Sequence, residues 1–149
     1  MRITYLQKVP QTEEDIKHLT FYDDNHLFYI TSAGISLLNI STSESRLLYS
    51  NTTEDFFQVP SLYYDDQLKR LWIGTGSAGL FYYDIIRKSL SDIPIRNFPK
   101  QPILAIRKDA KNTLLIGIDG QGIWNISEKG DTILHIYKED LNNPFFTPG

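Results

Sequence analysis

The chain has 149 residues with 18 acidic and 15 basic side chains, and its net charge of −3 excludes the overall positive field that draws a protein to nucleic acid. It has no cysteine, which excludes disulfides, thiolate zinc sites and a cysteine nucleophile. It has no run of about 20 apolar residues and no signal-peptide core of about 7 to 15, so we predict a soluble segment without direct membrane insertion.

Four strand patterns follow one another in the first third of the chain, separated by turn clusters. They begin at Ile16, His26, Gly34 and Ser45. Runs of β-branched and aromatic residues bounded by turn residues are typical of short antiparallel strands joined by hairpins. Residues 15–57 are therefore predicted to form one four-stranded unit. Ahead of it, Arg2–Val9 alternates apolar and polar residues and predicts a further strand.

The same four runs recur twice in the rest of the chain. They begin at Val59, Arg70, Gly79 and Ser89 in residues 58–100, and at Pro102, Thr113, Gly122 and Asp131 in residues 101–140. Leu27 and Leu71 are 44 residues apart, and Leu71 and Leu114 are 43 apart. A four-stranded antiparallel unit of about 40 to 45 residues is the usual size of a β-propeller blade. The sequence therefore predicts an all-β chain with three blades.

Propellers close their ring with roughly 4 to 8 blades, so three blades predict a partial propeller. Arg2–Val9 then matches the outer strand of a preceding blade, and residues 141–149 match the linker to a next blade. Three blades also leave two blade faces bare, and an exposed apolar surface of that size drives association. We expect the chain to pack against a copy of itself through the terminal blades.

The strands carry apolar side chains on successive positions, as at Leu71, Trp72 and Ile73, so both faces of each sheet must be covered. We predict that Trp72 is buried between blades. Glycines fall at matched positions in or beside the second hairpin of each repeat, where positive φ or close backbone approach is needed. The structural signature of the repeat is therefore predicted to be Trp72, Gly74, Gly79, Gly117 and Gly122.

The stretch LWIGTGSAGLFYYD, which begins at Leu71 and follows the turn DDQLKR, resembles the two-component regulator propeller repeat. The first repeat departs from that pattern with Phe28 in place of the Trp, and the third with Leu115 and Ile118. The resemblance implies a piece of the periplasmic sensor region of a Bacteroidetes hybrid two-component sensor, whose parent chain is a histidine kinase. It also implies a role in signal transduction with an oligosaccharide as ligand.

In a four-stranded meander, the hairpin joining strands two and three emerges at the same end as the linker that leaves strand four. Polar loop residues beside glycines are typical of ligand sites, although they also suit ordinary turns. We predict a ligand site at that end from Phe56, Ser77, Asn97, Lys100, Asp119 and Gln121. Asp119 and Gln121 offer acceptors and donors for sugar hydroxyls. Phe56, or its neighbour Phe57, offers a ring.

The sequence shows no catalytic set, because His18, His26 and His135 lie in separate repeats without metal-ligand spacing. We therefore predict that the chain is not an enzyme and needs no cofactor and no metal. Two alternatives to a sensor share the same fold, and fold does not decide function. One is a scaffold for protein partners without a small ligand. The other is a propeller polysaccharide lyase, which would need His, Tyr and Arg clustered at one mouth of the channel.

Overall fold

A computed structural model describes residues 1–6 and 15–139, and within those ranges the protein consists of β-strands without any helix. Blade 1 comprises β1 (His18–Phe21), β2 (His26–Thr31), β3 (Gly34–Asn39) and β4 (Ser45–Ser50). Blade 2 comprises β5 (Ser61–Asp65), β6 (Arg70–Gly74), β7 (Leu80–Asp84) and β8 (Ser89–Asp92). Blade 3 comprises β9 (Ile103–Lys108), β10 (Leu114–Ile118), β11 (Gly122–Ile126) and β12 (Ile133–Tyr137). Each blade is an antiparallel sheet paired in chain order, so the predicted partial propeller is confirmed.

An aspartate closes the first hairpin of every blade. The Oδ1 atom of Asp65 accepts the backbone N–H groups of Gln67 and Leu68, and Asp23 and Asp109 make the same kind of turn in the other two blades. Hydrogen bonds from Thr113 hold the pKa of Asp109 below its usual range. These acids therefore form turns.

Three of the four glycines in the repeat signature meet a geometric need, and one of them, Gly79, has a φ of 89°. Gly122 has a φ of 76°, and a β-carbon there would collide with the carbonyl oxygen of Tyr137. At Gly74 a β-carbon would lie 2.6 Å from Cγ2 of Ile103 and would also collide with Ser61. Gly117 needs neither, since its nearest neighbour would be Cβ of Ala105 at an ordinary 3.6 Å, so the prediction of close approach was wrong there.

The blades pack face to face, with the first strands β1, β5 and β9 side by side. One apolar cluster fills the space between blades 1 and 2, and a second fills the space between blades 2 and 3. The first includes Phe28, Ile30, Ile35, Leu71 and Ile73, and the second includes Trp72, Ile106, Ile116, Trp124 and Ile126. Trp72 is fully buried, which confirms its predicted core position.

The predicted strand at Arg2–Val9 is not formed over residues 1–6, which lie outside any strand. The prediction assigned that strand to a preceding blade, and the described part of the chain supplies no such blade to pair with it. Residues 7–9 of that strand, Asp140 and the predicted linker 141–149 lie outside the described residues.

Candidate functional site

Backbone hydrogen bonds connect linkers and hairpins at the end that carries the β2–β3, β6–β7 and β10–β11 hairpins, which we call the linker end. Gly76 N–H donates to the Gln58 carbonyl at 3.0 Å, and Ile103 N–H donates to the Thr75 carbonyl at 3.1 Å. Asp119 N–H donates to the Pro102 carbonyl at 2.9 Å. Each linker is thus bonded to a hairpin of the blade that follows or precedes it, and the predicted gathering of loops is present.

The predicted ligand residues at the linker end fall into two separate grooves. The first, the linker groove, has a volume of about 360 Å³ and is lined by Ala78, Gly79, Leu80, Asp92, Ile93, Ile95, Asn97, Phe98 and Lys100. Asn97 and Lys100 are both exposed on the linker between blades 2 and 3. Ser77 is exposed at the tip of the adjoining hairpin and does not line the groove.

The second groove, the terminal groove, has a volume of about 690 Å³ and lies on blade 3. It is lined by Leu104, Ile118, Asp119, Gly120, Gln121, Gly122, Ile123, Tyr137, Lys138 and Glu139. Lys138 Nζ donates to Oε1 of Gln121 at 3.5 Å, while the Gln121 carbonyl accepts the indole N–H of Trp124 at 3.2 Å. Asp119 is exposed beside them. The Asp119 carboxylate and the Gln121 amide therefore lie in the same groove as the apolar side chains of Ile123 and Tyr137.

The prediction that Phe56 lines the ligand site was wrong. Its ring is fully buried in the core between blades 1 and 2, 6.4 Å from the ring of Tyr49, and so offers no stacking surface. The neighbouring Phe57 is 67% exposed instead, and Lys17 Nζ lies 5.8 Å from its ring centroid. Adjacent phenylalanines look alike in the sequence, and only the packing shows that Phe56 turns inward.

A third cavity lies at the opposite end, and the sequence had not indicated it. This end, the hairpin end, carries the turns that join strands one to two and strands three to four of each blade. The cavity, which we call the interblade cleft, holds about 400 Å³ between blades 1 and 2. It is lined by Tyr22, His26, Phe28, Leu37, Arg46, Leu47, Leu48, Tyr83, Ile85 and Lys88.

The interblade cleft combines an apolar floor with a basic rim. Phe28 and Tyr83 are buried, and burial raises the pKa of the Tyr83 phenol. The Tyr83 hydroxyl donates to the Leu48 carbonyl at 3.4 Å. Arg46 and Lys88 are exposed at the rim, and no Asp or Glu is among the lining residues.

The basic residues between Arg87 and Lys111 do not share one face. Lys88 lies at the hairpin end, Lys100 lies at the linker end, and Lys108 is drawn into an ion pair between blades 2 and 3. Within residues 1–6 and 15–139, no group of three His, Asp or Glu side chains is placed to hold a metal ion. In the same ranges, no helix has the length and apolar character needed to cross a membrane.

No family model and no curated protein matches the chain. Among solved structures it is similar to the extracellular domain of BT4673, a hybrid two-component system protein of B. thetaiotaomicron. The two are 22% identical with a TM-score of 0.66, over 86% of this chain and 17% of that chain. The extracellular domain of BT3049, a hybrid two-component system protein of the same organism, is 17% identical with a TM-score of 0.66. That match covers 92% of this chain and 20% of the other.

The computationally designed Ika4 protein is 16% identical with a TM-score of 0.63, over 93% of this chain and 82% of that chain. At these identities the likeness establishes the fold. The chain spans a fifth or less of the length of the two B. thetaiotaomicron domains.

Proposed function

We propose that the chain is an extracytoplasmic ligand-sensing segment of a two-component signalling protein. The observation that carries the proposal is its fold likeness to the extracellular domains of two hybrid two-component system proteins, over 86% and 92% of its length. The resemblance of LWIGTGSAGLFYYD to the two-component regulator propeller repeat supports it independently. In this role the segment is periplasmic and binds a ligand without transforming it.

The ligand in this proposal is a carbohydrate, bound at the linker end. Asn97 and Lys100 line one groove there, and Asp119 and Gln121 line the other, so both grooves present polar groups beside apolar walls. The linker groove is formed by the linker from blade 2 to blade 3 and by a hairpin of blade 2. A ligand shifts a conformational equilibrium only through different affinities for the two states. A groove at a blade boundary provides such a difference when the blades move.

Calorimetric titration of oligosaccharides into the 149-residue chain tests this function. Saturable binding without turnover, weakened at least tenfold by Lys100→Ala or Asp119→Ala, is the expected result. Lys111→Ala is the matched control, because this exposed lysine lies in the β9–β10 turn at the other end. Absence of binding across a broad panel would favour the scaffold, and unsaturated, ultraviolet-absorbing products would indicate a lyase.

The described geometry gives the lyase little support. His18 makes a local contact with the backbone of Leu19, and His26 pairs with Asp23 at 2.9 Å. His135 lies on β12, with its ring centroid 4.3 Å from that of Tyr137. These three histidines stand on different blades or strands and do not converge on one mouth.

We also propose that two copies associate through the terminal blades. Residues paired across strands share a face, so Leu19 and Leu47 lie on the face of blade 1 that points away from blade 2, where they are 49% and 37% exposed. Ile123 and Tyr137 lie on the uncovered face of blade 3, 46% and 53% exposed. In the repeat, these faces correspond to the two that pack together inside the chain. Docking blade 3 of one copy on blade 1 of the next would continue the internal packing.

Sedimentation velocity distinguishes the modes of association. Head-to-tail docking predicts that Leu19→Lys and Ile123→Lys each abolish the dimer, because each blocks one of the two faces. Ile86→Lys is the control, since Ile86 is 73% exposed in the β7–β8 turn, away from both faces. A dimer lost with only one of the two variants would mean that like faces meet. A wild-type monomer at high micromolar concentration would overturn the proposal.

A further inference from the structure

The interblade cleft joins elements that are distant in the sequence. Arg46 on β4 pairs with Leu37 on β3, which pairs with Phe28 on β2, so the three side chains share the face of blade 1 that meets blade 2. Lys88 comes from blade 2, in the β7–β8 turn. Its backbone has a φ of 55° and its N–H donates to the Asp84 carbonyl at 2.8 Å. Both cations are therefore carried by regular hairpins.

The floor between these cations is apolar and rigid. Phe28 is 1% exposed and Tyr83 is 2% exposed, and both belong to the core between blades 1 and 2. Leu37, Leu48 and Ile85 pack against that core and are half-buried. A volume of about 400 Å³ falls in the range of small-ligand pockets. A ring or a short acyl body therefore fits on this floor.

The charges at the rim are not neutralised by the protein. Ion pairs in the described residues involve His26, Lys69 and Lys108, and neither Arg46 nor Lys88 takes part in one. Glu44, which precedes β4, lines an adjoining depression together with Arg46 but forms no ion pair with it. A guanidinium and an ammonium above an apolar floor are complementary to a carboxylate or sulfate attached to an apolar body.

We infer that the interblade cleft binds a small amphipathic anion, with its carboxylate or sulfate between Arg46 and Lys88 and its apolar part on the half-buried Leu37, Leu48 and Ile85. Arg46 belongs to blade 1 and Lys88 to blade 2, so the bound anion bridges the two blades. This deepens the proposed sensing function and rests on it only for the claim that the bridge changes signalling. The binding itself requires only this chain.

Two probes of the same size and shape test the inference. Para-nitrophenyl glucuronide carries a carboxylate where para-nitrophenyl glucoside carries a hydroxymethyl group, and both have the same aromatic body. Titrated into the 149-residue chain, the glucuronide is expected to bind at least tenfold more tightly than the glucoside. Added salt is expected to reduce that difference, because both cations are exposed to solvent.

Substitutions in and beside the interblade cleft test whether the glucuronide binds there. Arg46→Gln and Lys88→Gln are each expected to weaken glucuronide binding about tenfold while the unfolding temperature stays unchanged, since both side chains are exposed. Arg87→Gln is the matched control, because Arg87 occupies the same turn and does not line the cleft. Equal binding of the two glycosides, or equal effects of all three variants, would overturn the inference.

A third probe separates this inference from the proposed function. If phenylacetate binds as tightly as the glucuronide and depends on Arg46 and Lys88, the anion site stands and the carbohydrate proposal loses its support there. If neutral oligosaccharides bind and respond only to Lys100→Ala or Asp119→Ala, the proposed function stands and the anion site is refuted.

Discussion

The two interfaces between blades use opposite chemistry at equivalent positions. Between blades 1 and 2, the ring of Tyr64 lies 5.2 Å from the ring of Tyr22. Between blades 2 and 3, Lys108 takes the repeat position of Tyr64, and its Nζ donates to Asp65 at 2.7 Å and to Glu128 at 2.9 Å. The repeat therefore fixes the backbone and the register, while the side chains that join neighbouring blades can change completely.

The ion pair between blades 2 and 3 depends on its geometry because both charged side chains, Asp65 and Lys108, are buried. The side chains of Asp65 and Lys108 are 2% and 10% exposed. Burial alone lowers the pKa of Lys108, but the hydrogen bonds that its ammonium donates to Asp65 and Glu128 outweigh burial and raise that pKa. The aromatic interface carries a different cost, since the Tyr64 hydroxyl is buried without a hydrogen-bond partner among the described residues.

Asp65→Leu is expected to have the largest effect. It removes the most buried partner of Lys108 and leaves the ammonium with Glu128 and a longer bond of 3.4 Å to Gln67, so the free energy of unfolding should fall by about 3 kcal/mol. Urea denaturation followed by fluorescence measures the change. Asp23→Leu is the control, because Asp23 closes the equivalent turn but forms no bond to another blade. Equal losses would mean that the turn, and not the ion pair, supports the interface.

Gly74→Ala is expected to destabilise the interface between blades 2 and 3 by about 2 kcal/mol, because the new methyl group overpacks it against Ile103. Gly117 occupies the same repeat position in blade 3, where the added methyl group meets only Ala105 at 3.6 Å. Gly117→Ala is therefore not expected to lower the unfolding midpoint. A similar loss in both variants would attribute the effect to strand backbone rather than to packing.

Tyr64→Phe is expected to leave the protein as stable or to stabilise it by up to about 1 kcal/mol, since it removes a buried hydroxyl without a partner. Tyr83→Phe is the comparison, because the Tyr83 hydroxyl reaches the Leu48 carbonyl at 3.4 Å and its loss should cost a few tenths of a kcal/mol, roughly. Both are read from chemical denaturation. A clear loss in Tyr64→Phe would reveal a partner for that hydroxyl.

The smallest effect expected is a dependence of stability on alkaline pH. Burial raises the pKa of Tyr64 and of Tyr83 above the usual value of 10.0, so the folded state holds their protons more tightly than the unfolded chain does. This stabilisation is complete below about pH 10 and is lost as the pH rises further. Unfolding midpoints measured from pH 8 to 11 should therefore fall less steeply for Tyr64→Phe. Parallel profiles would contradict the assignment.

The strands and turns could be predicted because their causes are local. Runs such as Arg70–Gly74 and the aspartates after β1, β5 and β9 determine hairpins within a few residues of themselves. The burial of Trp72 could also be predicted from a single repeat. Successive apolar residues around it point to both faces of the sheet, so both faces had to be covered.

The sites could be predicted only in part, because they depend on contacts between repeats. The sequence correctly grouped the loops of the linker end but could not separate Asn97 and Lys100 from Asp119 and Gln121 into two grooves. Arg46 and Lys88 become neighbours only when blades 1 and 2 pack, so no local pattern indicated the interblade cleft.

The hydrogen bonds of the linker end have a mechanical consequence. Ile103 to Thr75 joins blade 3 to blade 2 backbone to backbone, while Gly76 to Gln58 and Asp119 to Pro102 fix each linker to the blade that it enters. At the hairpin end of the described residues, only side chains bridge the blades. We therefore expect a relative rotation of two blades to displace the hairpin end more than the linker end. A molecule bound between Arg46 and Lys88 would lie where the displacement between blades 1 and 2 is greatest.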